Sequence, residues 1–374
     1  MDNKDIHIGI VGAGRIGTAI YTLLVGGSFH SDYKVSIADL DSHHKHWPVN
    51  ESDYFEIETP VSYETQFNKF VEGKSLVINA LPYTENINLY QACLEYNVPY
   101  FDLSEDDALD KWINNRNYIT PIRTSLPFTM PHCGLAPGLS TVVANHLAKD
   151  FSDLHDVKIR VGALSQDATN KLKYHASWSG DGLVNEYMGK CQIVRNGSYD
   201  EVDALSGYET LIIDGTDYEA FHTSGGIGTF AQTIAERNEC ANVDYKTIRR
   251  VGHHQYVDFL FNDLRLPQDI LTDMFKKYIP TTKKDEVIIY VTAGGYTGNE
   301  IQYQTRTYDM LFQPSFIHGK TYTAIEYTTA CGILAMVELF LNGKLPQEGY
   351  VTQESVDWKD VLSTAFGRFY REDY

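Results

Sequence analysis

The opening of the chain constrains it most. The apolar run Ile6-His7-Ile8-Gly9-Ile10-Val11 leads directly into Gly12-Ala13-Gly14-Arg15-Ile16-Gly17. A helical pattern follows, with Ile16, Ala19, Ile20, Leu23 and Leu24 apolar. Strand, glycine turn and helix in that order form the first half of a dinucleotide-binding unit. The first glycine makes the tight turn, the second admits a pyrophosphate, and the third lets the helix pack closely on the strand. The helix N-terminus turns N–H groups and a positive dipole end toward the phosphates. Gly12, Gly14, Arg15, Ile16 and Gly17 are therefore expected to hold a cofactor.

Lys34-Val35-Ser36-Ile37-Ala38 reads as the next strand, closed by Asp39. An acid there accepts hydrogen bonds from a ribose and repels a 2′-phosphate, which favours NAD over NADP. Arg15 and the His43-His44-Lys45-His46 cluster offer positive charge and keep NADP open. Ser75–Pro82 and Val98–Leu103 read as further strands, with a helix from Glu85 to Tyr96 between them. Such alternation predicts a doubly wound parallel sheet with ligands at the carboxyl ends of its strands. Asn79, Ala80, Leu81, Pro82 and Leu103 are accordingly expected beside the cofactor.

From about 155 to 310 the pattern changes. Strands are expected at Val157–Leu164, Lys171–Ser177, Gln192–Arg195, Glu209–Ile213, Val287–Ala293 and Glu300–Thr307. Helices are expected at Gly182–Tyr187, Thr229–Glu236 and Gln268–Tyr278. This reads as an inserted α+β domain with a mixed, open sheet. Thr323–Leu341 reads as a long helix ended by Asn342-Gly343.

The net charge of −19 argues against nucleic acid or an anionic membrane as a partner. The apolar run Cys331–Leu341 is too short to span a bilayer. Five scattered cysteines without C-x-x-C spacing read as reduced thiols, and no metal site is expected. No basic and apolar leader opens the chain, so a cytoplasmic location is expected.

Six motifs, in order, make the chain similar to the saccharopine dehydrogenase family, and within it to the branch containing lysine 6-dehydrogenase. They are Gly12–Gly17 with Ala38-Asp39-Leu40-Asp41; Tyr100-Phe101-Asp102-Leu103-Ser104; Cys133-Gly134-Leu135-Ala136-Pro137-Gly138-Leu139-Ser140; Trp178–Tyr187; Tyr218–Gly226; and Thr247-Ile248-Arg249-Arg250-Val251-Gly252-His253. Arg250-Val251 and His132-Cys133 depart from the usual pattern. The resemblance implies a dinucleotide domain at 1–130 plus 321–374 and a substrate and dimerisation domain at 131–320. It also implies hydride transfer between a pyridine nucleotide and a carbon–nitrogen bond of an amino acid. A homodimer is the default assembly.

Amine oxidation needs a carboxylate clamp and a proton acceptor. Arg249 is the expected clamp, or else a surface ion pair. Thr223, Ser224 and Gly225 either present donors to an anion or form a turn before the Thr229 helix. Asp102 either orients the amine or a water, or caps the helix at Asp106–Trp112, where Ser104 is the better cap. Cys133 stands in the substrate wall or is a buried small hydrophobe. Tyr174, His175 and Trp178 line the pocket, and His175 or His222 accepts the proton. Pro137 is expected to start a helix running through His146. Other readings are a glutamate-forming saccharopine dehydrogenase, with a second clamp from Arg160, Arg195 or Arg306, a non-catalytic NAD-binding regulator, and a polyamine-forming enzyme.

Overall fold

In the computed structural model, which describes residues 6–27, 33–39, 48–57, 63–119, 126–298 and 302–371, the first 130 residues alternate strand and helix. Leu40, Asp41 and the 43–46 cluster lie outside the described residues. The strands are β1 (Ile6–Val11), β2 (Tyr33–Asp39), β3 (Tyr54–Glu56), β4 (Leu76–Asn79), β5 (Tyr100–Asp102) and β6 (Thr129–Met130). All are parallel, in the order β3-β2-β1-β4-β5-β6. Both faces are covered, so β4 is apolar but for its last residue and buried throughout. Helices α1 (Arg15–Gly26), α2 (Tyr63–Val71), α3 (Asn86–Tyr96) and α4 (Ala108–Ile119) connect the strands. Ahead of α4, Ser104 accepts the Asp106 N–H at 3.0 Å and Asp106 accepts the Ala108 N–H at 2.8 Å. Val11 is in register with Asn79, and Asn79 with Asp102. Gly12, Ala80 and Leu103 therefore leave the sheet side by side at its carboxyl edge, where the strand order reverses.

The chain divides into two compact units: Met1–Leu139 with Phe316–Tyr322 and Thr329–Tyr374, and Ser140–Ser315 with Thr323–Thr328. The second unit starts one residue into α5 (Leu139–Ala148), a helix that begins two residues after Pro137. Its strands are β7 (Asp153–Ser165), β8 (Lys190–Arg195), β9 (Ser198–Asp203), β10 (Glu209–Ile213), β11 (Thr216–Phe221), β12 (Cys240–Arg250), β13 (Asp285–Tyr296) and β14 (Gln304–Phe312). They form one mixed sheet, β10-β11-β12-β7-β13-β14, with β8 and β9 branching from β12. Helices α6 (Gly180–Glu186), α7 (Phe230–Arg237), α8 (His254–Asp258) and α9 (Gln268–Tyr278) complete it. The strand expected at Lys171–Ser177 is a loop. Its backbone closes on a side chain: Asn170 donates to the Tyr174 carbonyl at 2.8 Å and accepts the Tyr174 N–H at 3.2 Å.

A hairpin of β15 (Ser315–Ile317) and β16 (Lys320–Tyr322) precedes α10 (Ala324–Leu341) and α11 (Trp358–Ser363). Thr323 and Glu326 cap α10 reciprocally, at 3.3 and 3.0 Å. Asp285 of β13 adds both carboxylate oxygens, accepting the Ala324 and Ile325 N–H groups at 2.7 and 2.9 Å. In the first unit, Phe340 of α10 packs on Phe101 and Phe128, with centroids 5.8 and 4.5 Å away. By length and composition the 18 residues of α10 suit a membrane span, but 78% of the helix is buried inside the protein. It serves as a core helix. All five cysteines are buried and free.

Candidate active site

The three motif glycines answer to three different constraints. Gly12 has φ +105°, and a Cβ there would meet the Ala80 carbonyl oxygen at 2.6 Å. A Cβ on Gly17 would meet the Gly12 carbonyl oxygen at 1.8 Å. A Cβ on Gly14 would meet nothing within 4 Å. The turn is thus closed everywhere except above Gly14, where a side chain would fill free space. Helix α1 starts there without a side-chain cap. An open cradle at an uncapped helix N-terminus fits a pyrophosphate. Asp39 accepts the Ala13 N–H at 2.5 Å, so the acid at the end of β2 also braces the turn. Asn79 donates to Asn86 and Tyr100 and accepts the Leu81 N–H at 3.0 Å, which shapes the Ala80–Pro82 loop beside Gly12. It works as a positioning residue.

Asp102 is fully enclosed. It accepts the N–H groups of Ser104 and His132 at 3.0 and 2.8 Å and the Tyr100 hydroxyl at 3.0 Å. Burial pushes its carboxyl up, and neighbouring His132 opposes that. His132 is the residue that motif reading passed over, naming it only as a departure. Its Nδ1 faces the Ser104 carbonyl at 2.6 Å and its Nε2 faces Asp110 at 2.7 Å. Both neighbours are acceptors, so both ring nitrogens donate and the ring is an imidazolium. Burial alone would lower its pKa, but Asp110 and Asp102 outweigh it and raise it to about 10. Tyr350 donates to the other Asp110 oxygen at 2.6 Å. Cys133 is buried and its thiol lies 3.1 Å from the Met130 carbonyl. Burial raises its pKa, so it is a protonated, packed thiol.

In the second unit, Arg249 lies on β12 and is only 2% exposed. It donates from Nε to the Tyr187 hydroxyl at 2.8 Å, from Nη1 to the Ile248 carbonyl at 3.1 Å, and from Nη2 to Glu186 at 3.1 Å. The Tyr174 and Tyr187 rings flank it, 5.3 and 5.6 Å from the guanidinium carbon. Tyr187 in turn lies 2.9 Å from His253 Nε2, and His253 Nδ1 lies 2.8 Å from the Leu172 carbonyl. The directions are forced. His253 donates from Nδ1 and accepts from Tyr187, so it is neutral. Burial and then Arg249 lower its pKa to about 3. Guanidinium has five donors. Three are spent here, which leaves one N–H each on Nη1 and Nη2. The Tyr174 hydroxyl is buried beside Trp178 and Ser177 without completing a hydrogen bond. Gly182 makes room for Trp178; a Cβ there would meet the indole at 2.3 Å.

The remaining expected residues each have partners of their own. Ser224 donates from its N–H to the Glu186 carbonyl and from its hydroxyl to the Asn185 carbonyl, both at 2.9 Å. It therefore fastens the end of α6. Thr223 and Thr247 hydroxyls meet at 2.6 Å, and Gly225 has φ +83°. His222 is buried, with Nδ1 3.1 Å from the Tyr245 carbonyl, and burial lowers its pKa. His175 is half-buried, with Nδ1 3.3 Å from Asp167. Arg160 is buried between Glu209 and Asp244, Arg195 pairs with Asp200, and Arg306 with Asp150. Glu219 accepts the Gly252 and His254 N–H groups and holds the turn after Arg249. Glu186, Tyr187 and His253 end two of the sequence motifs, which is the signal that could have singled them out.

The sequence signature of the saccharopine dehydrogenase NADP-binding domain matches residues 8–124, and that of the saccharopine dehydrogenase C-terminal domain matches residues 134–372. The chain belongs to the saccharopine dehydrogenase family. It is an NAD(P)-dependent oxidoreductase of that family. The fold is similar to saccharopine dehydrogenase (L-Glu forming) from Saccharomyces cerevisiae, at 14% identity, TM-score 0.68, and 95% of each chain covered. It is also similar to homospermidine synthase from Legionella pneumophila in complex with NAD, at 12% identity and TM-score 0.68, over 98% of this chain and 89% of that one.

Proposed function

We propose that this family member is an amino-acid dehydrogenase acting on a carbon–nitrogen bond, like lysine 6-dehydrogenase, with NAD as cofactor. One observation carries the reading: buried Arg249 keeps two N–H donors unspent, on the two nitrogens that can grip a carboxylate side by side. Gly12, Gly14 and Gly17 would hold the pyrophosphate, and Asp39 the ribose. The bound nucleotide supplies a hydride acceptor. The substrate carbon loses hydride, its nitrogen loses a proton, and water replaces nitrogen to give an aldehyde and ammonia. Of the candidate proton acceptors we favour His175. With Nδ1 on Asp167, its Nε2 is the nitrogen left to take a proton. The glutamate-forming alternative needs a second clamp: Arg160 has all three nitrogens taken by Glu209, Asp244 and backbone carbonyls, and Arg195 and Arg306 stand in exposed pairs with Asp200 and Asp150.

The test is NADH formation with lysine, ornithine and saccharopine at mildly alkaline pH, on the parent and on Arg249→Lys. Turnover of lysine, with KM raised at least tenfold in the variant and NAD affinity unchanged, is the expected result. Turnover of saccharopine alone would replace the reading by the alternative.

A further inference from the structure

We infer that Glu186 receives the α-ammonium group of the substrate, so that Arg249 and Glu186 together read a zwitterionic amino-acid head and reserve a distal amine for oxidation. The inference rests on the amino-acid reading above and deepens it, because it names the residue that holds the unreactive nitrogen.

The argument is one of charge. A clamp for a bare carboxylate gains nothing from an acid beside it. Yet Glu186 lies 3.1 Å from Arg249 Nη2, and its side chain retains 17% exposure while the arginine is buried. The placement is built. Ser224 fastens the last turn of α6 through two hydrogen bonds, so Glu186 is delivered to Arg249 from a fixed backbone. Neighbouring His253 is neutral by its own hydrogen bonds and supplies no second cation. A monocarboxylate on Arg249 would set two carboxylates around one guanidinium in a poorly hydrated site, and the excess anion would be costly. An α-amino acid brings its own cation one carbon from its carboxylate. The ammonium meets Glu186, the carboxylate meets the two spare Arg249 donors, and the group closes neutral. An α-nitrogen held in this way is not the one oxidised, which leaves the far end of the side chain as the reacting end.

Binding of two unreactive probes tests this on the full-length protein with NAD present, by calorimetry. L-Norleucine offers the zwitterionic head without a distal amine, and hexanoate offers the carboxylate alone. The parent should bind norleucine at least tenfold more tightly than hexanoate. Glu186→Gln should weaken norleucine at least tenfold and leave hexanoate unchanged or tighter. Equal affinity of the parent for both probes, no binding of norleucine, or equal weakening of both in the variant would overturn the proposal. The comparison on the parent needs no variant, so a folding defect in Glu186→Gln does not remove the test. If norleucine binds as expected but no amine donor yields NADH, the head-group site stands and the dehydrogenase reading fails.

Discussion

Tyr187 accepts the Nε–H of Arg249 at 2.8 Å and gives its own hydrogen to His253, so a single oxygen orients a buried cation and sets the tautomer of a buried histidine. Tyr187→Phe keeps the ring and removes that oxygen. The cost of an unpaired buried donor on a charged group is about 1–3 kcal/mol. The urea midpoint should fall with an unchanged m-value, and NAD affinity should hold. An unchanged midpoint would show that the pair carries no stability.

His253 and His132 should tilt stability against pH in opposite senses. His253 titrates near 3 in the folded protein against 6.5 in the unfolded chain, so its contribution is present above pH 6.5 and is lost as pH falls toward 3. His132 titrates near 10, so its contribution is full below pH 6.5 and is lost as pH rises through 10. Denaturation series on His253→Gln and His132→Gln should each flatten one flank of the parent's profile, acid for the first and alkaline for the second. A variant that flattens the wrong flank refutes the corresponding proton assignment.

Gly14→Ala and Gly17→Ala should separate binding from folding. Alanine at 14 meets no protein atom within 4 Å, so the melting temperature should stay within about a degree while dinucleotide affinity drops at least tenfold, about 1.4 kcal/mol. Alanine at 17 drives a methyl into the Gly12 carbonyl and should yield little folded protein. Retained affinity in Gly14→Ala would place the pyrophosphate elsewhere.

Asp39 carries two duties that substitution can divide. Asp39→Asn removes the charge but keeps an oxygen for the Ala13 N–H, whereas Asp39→Ala removes both. The parent should prefer NAD to NADP. Asn should narrow that preference with little loss for NAD, and Ala should weaken both nucleotides. Titration by nucleotide fluorescence distinguishes the cases, and a parent that prefers NADP tenfold sinks the assignment.

The first unit was legible because its strands are apolar, its helices amphipathic and its glycine turn has a mechanical reason at each position. The second unit was less so. Strand β12 carries Asp244, Lys246, Arg249 and Arg250, which no apolar pattern anticipates, and it is buried because Arg160, Glu209, Glu186 and Glu286 neutralise those charges from other strands and a helix. Arg249 was picked out by its motif, but its partners are 62 and 63 residues away. Likewise His132 takes its meaning from Asp110 and Ser104, which sit beyond any local spacing.

Five stretches of chain alternate between the two units. Recombination therefore cannot trade the second unit as a cassette with one joint. A graft spanning 140–328 also imports residues 316–322, which belong to the other unit. Tyr322 of that hairpin donates to Thr22 of α1 at 2.8 Å. Each transplanted second unit thus arrives with a tenon cut for its donor's Thr22, and it seats best where the recipient keeps a hydroxyl at that position.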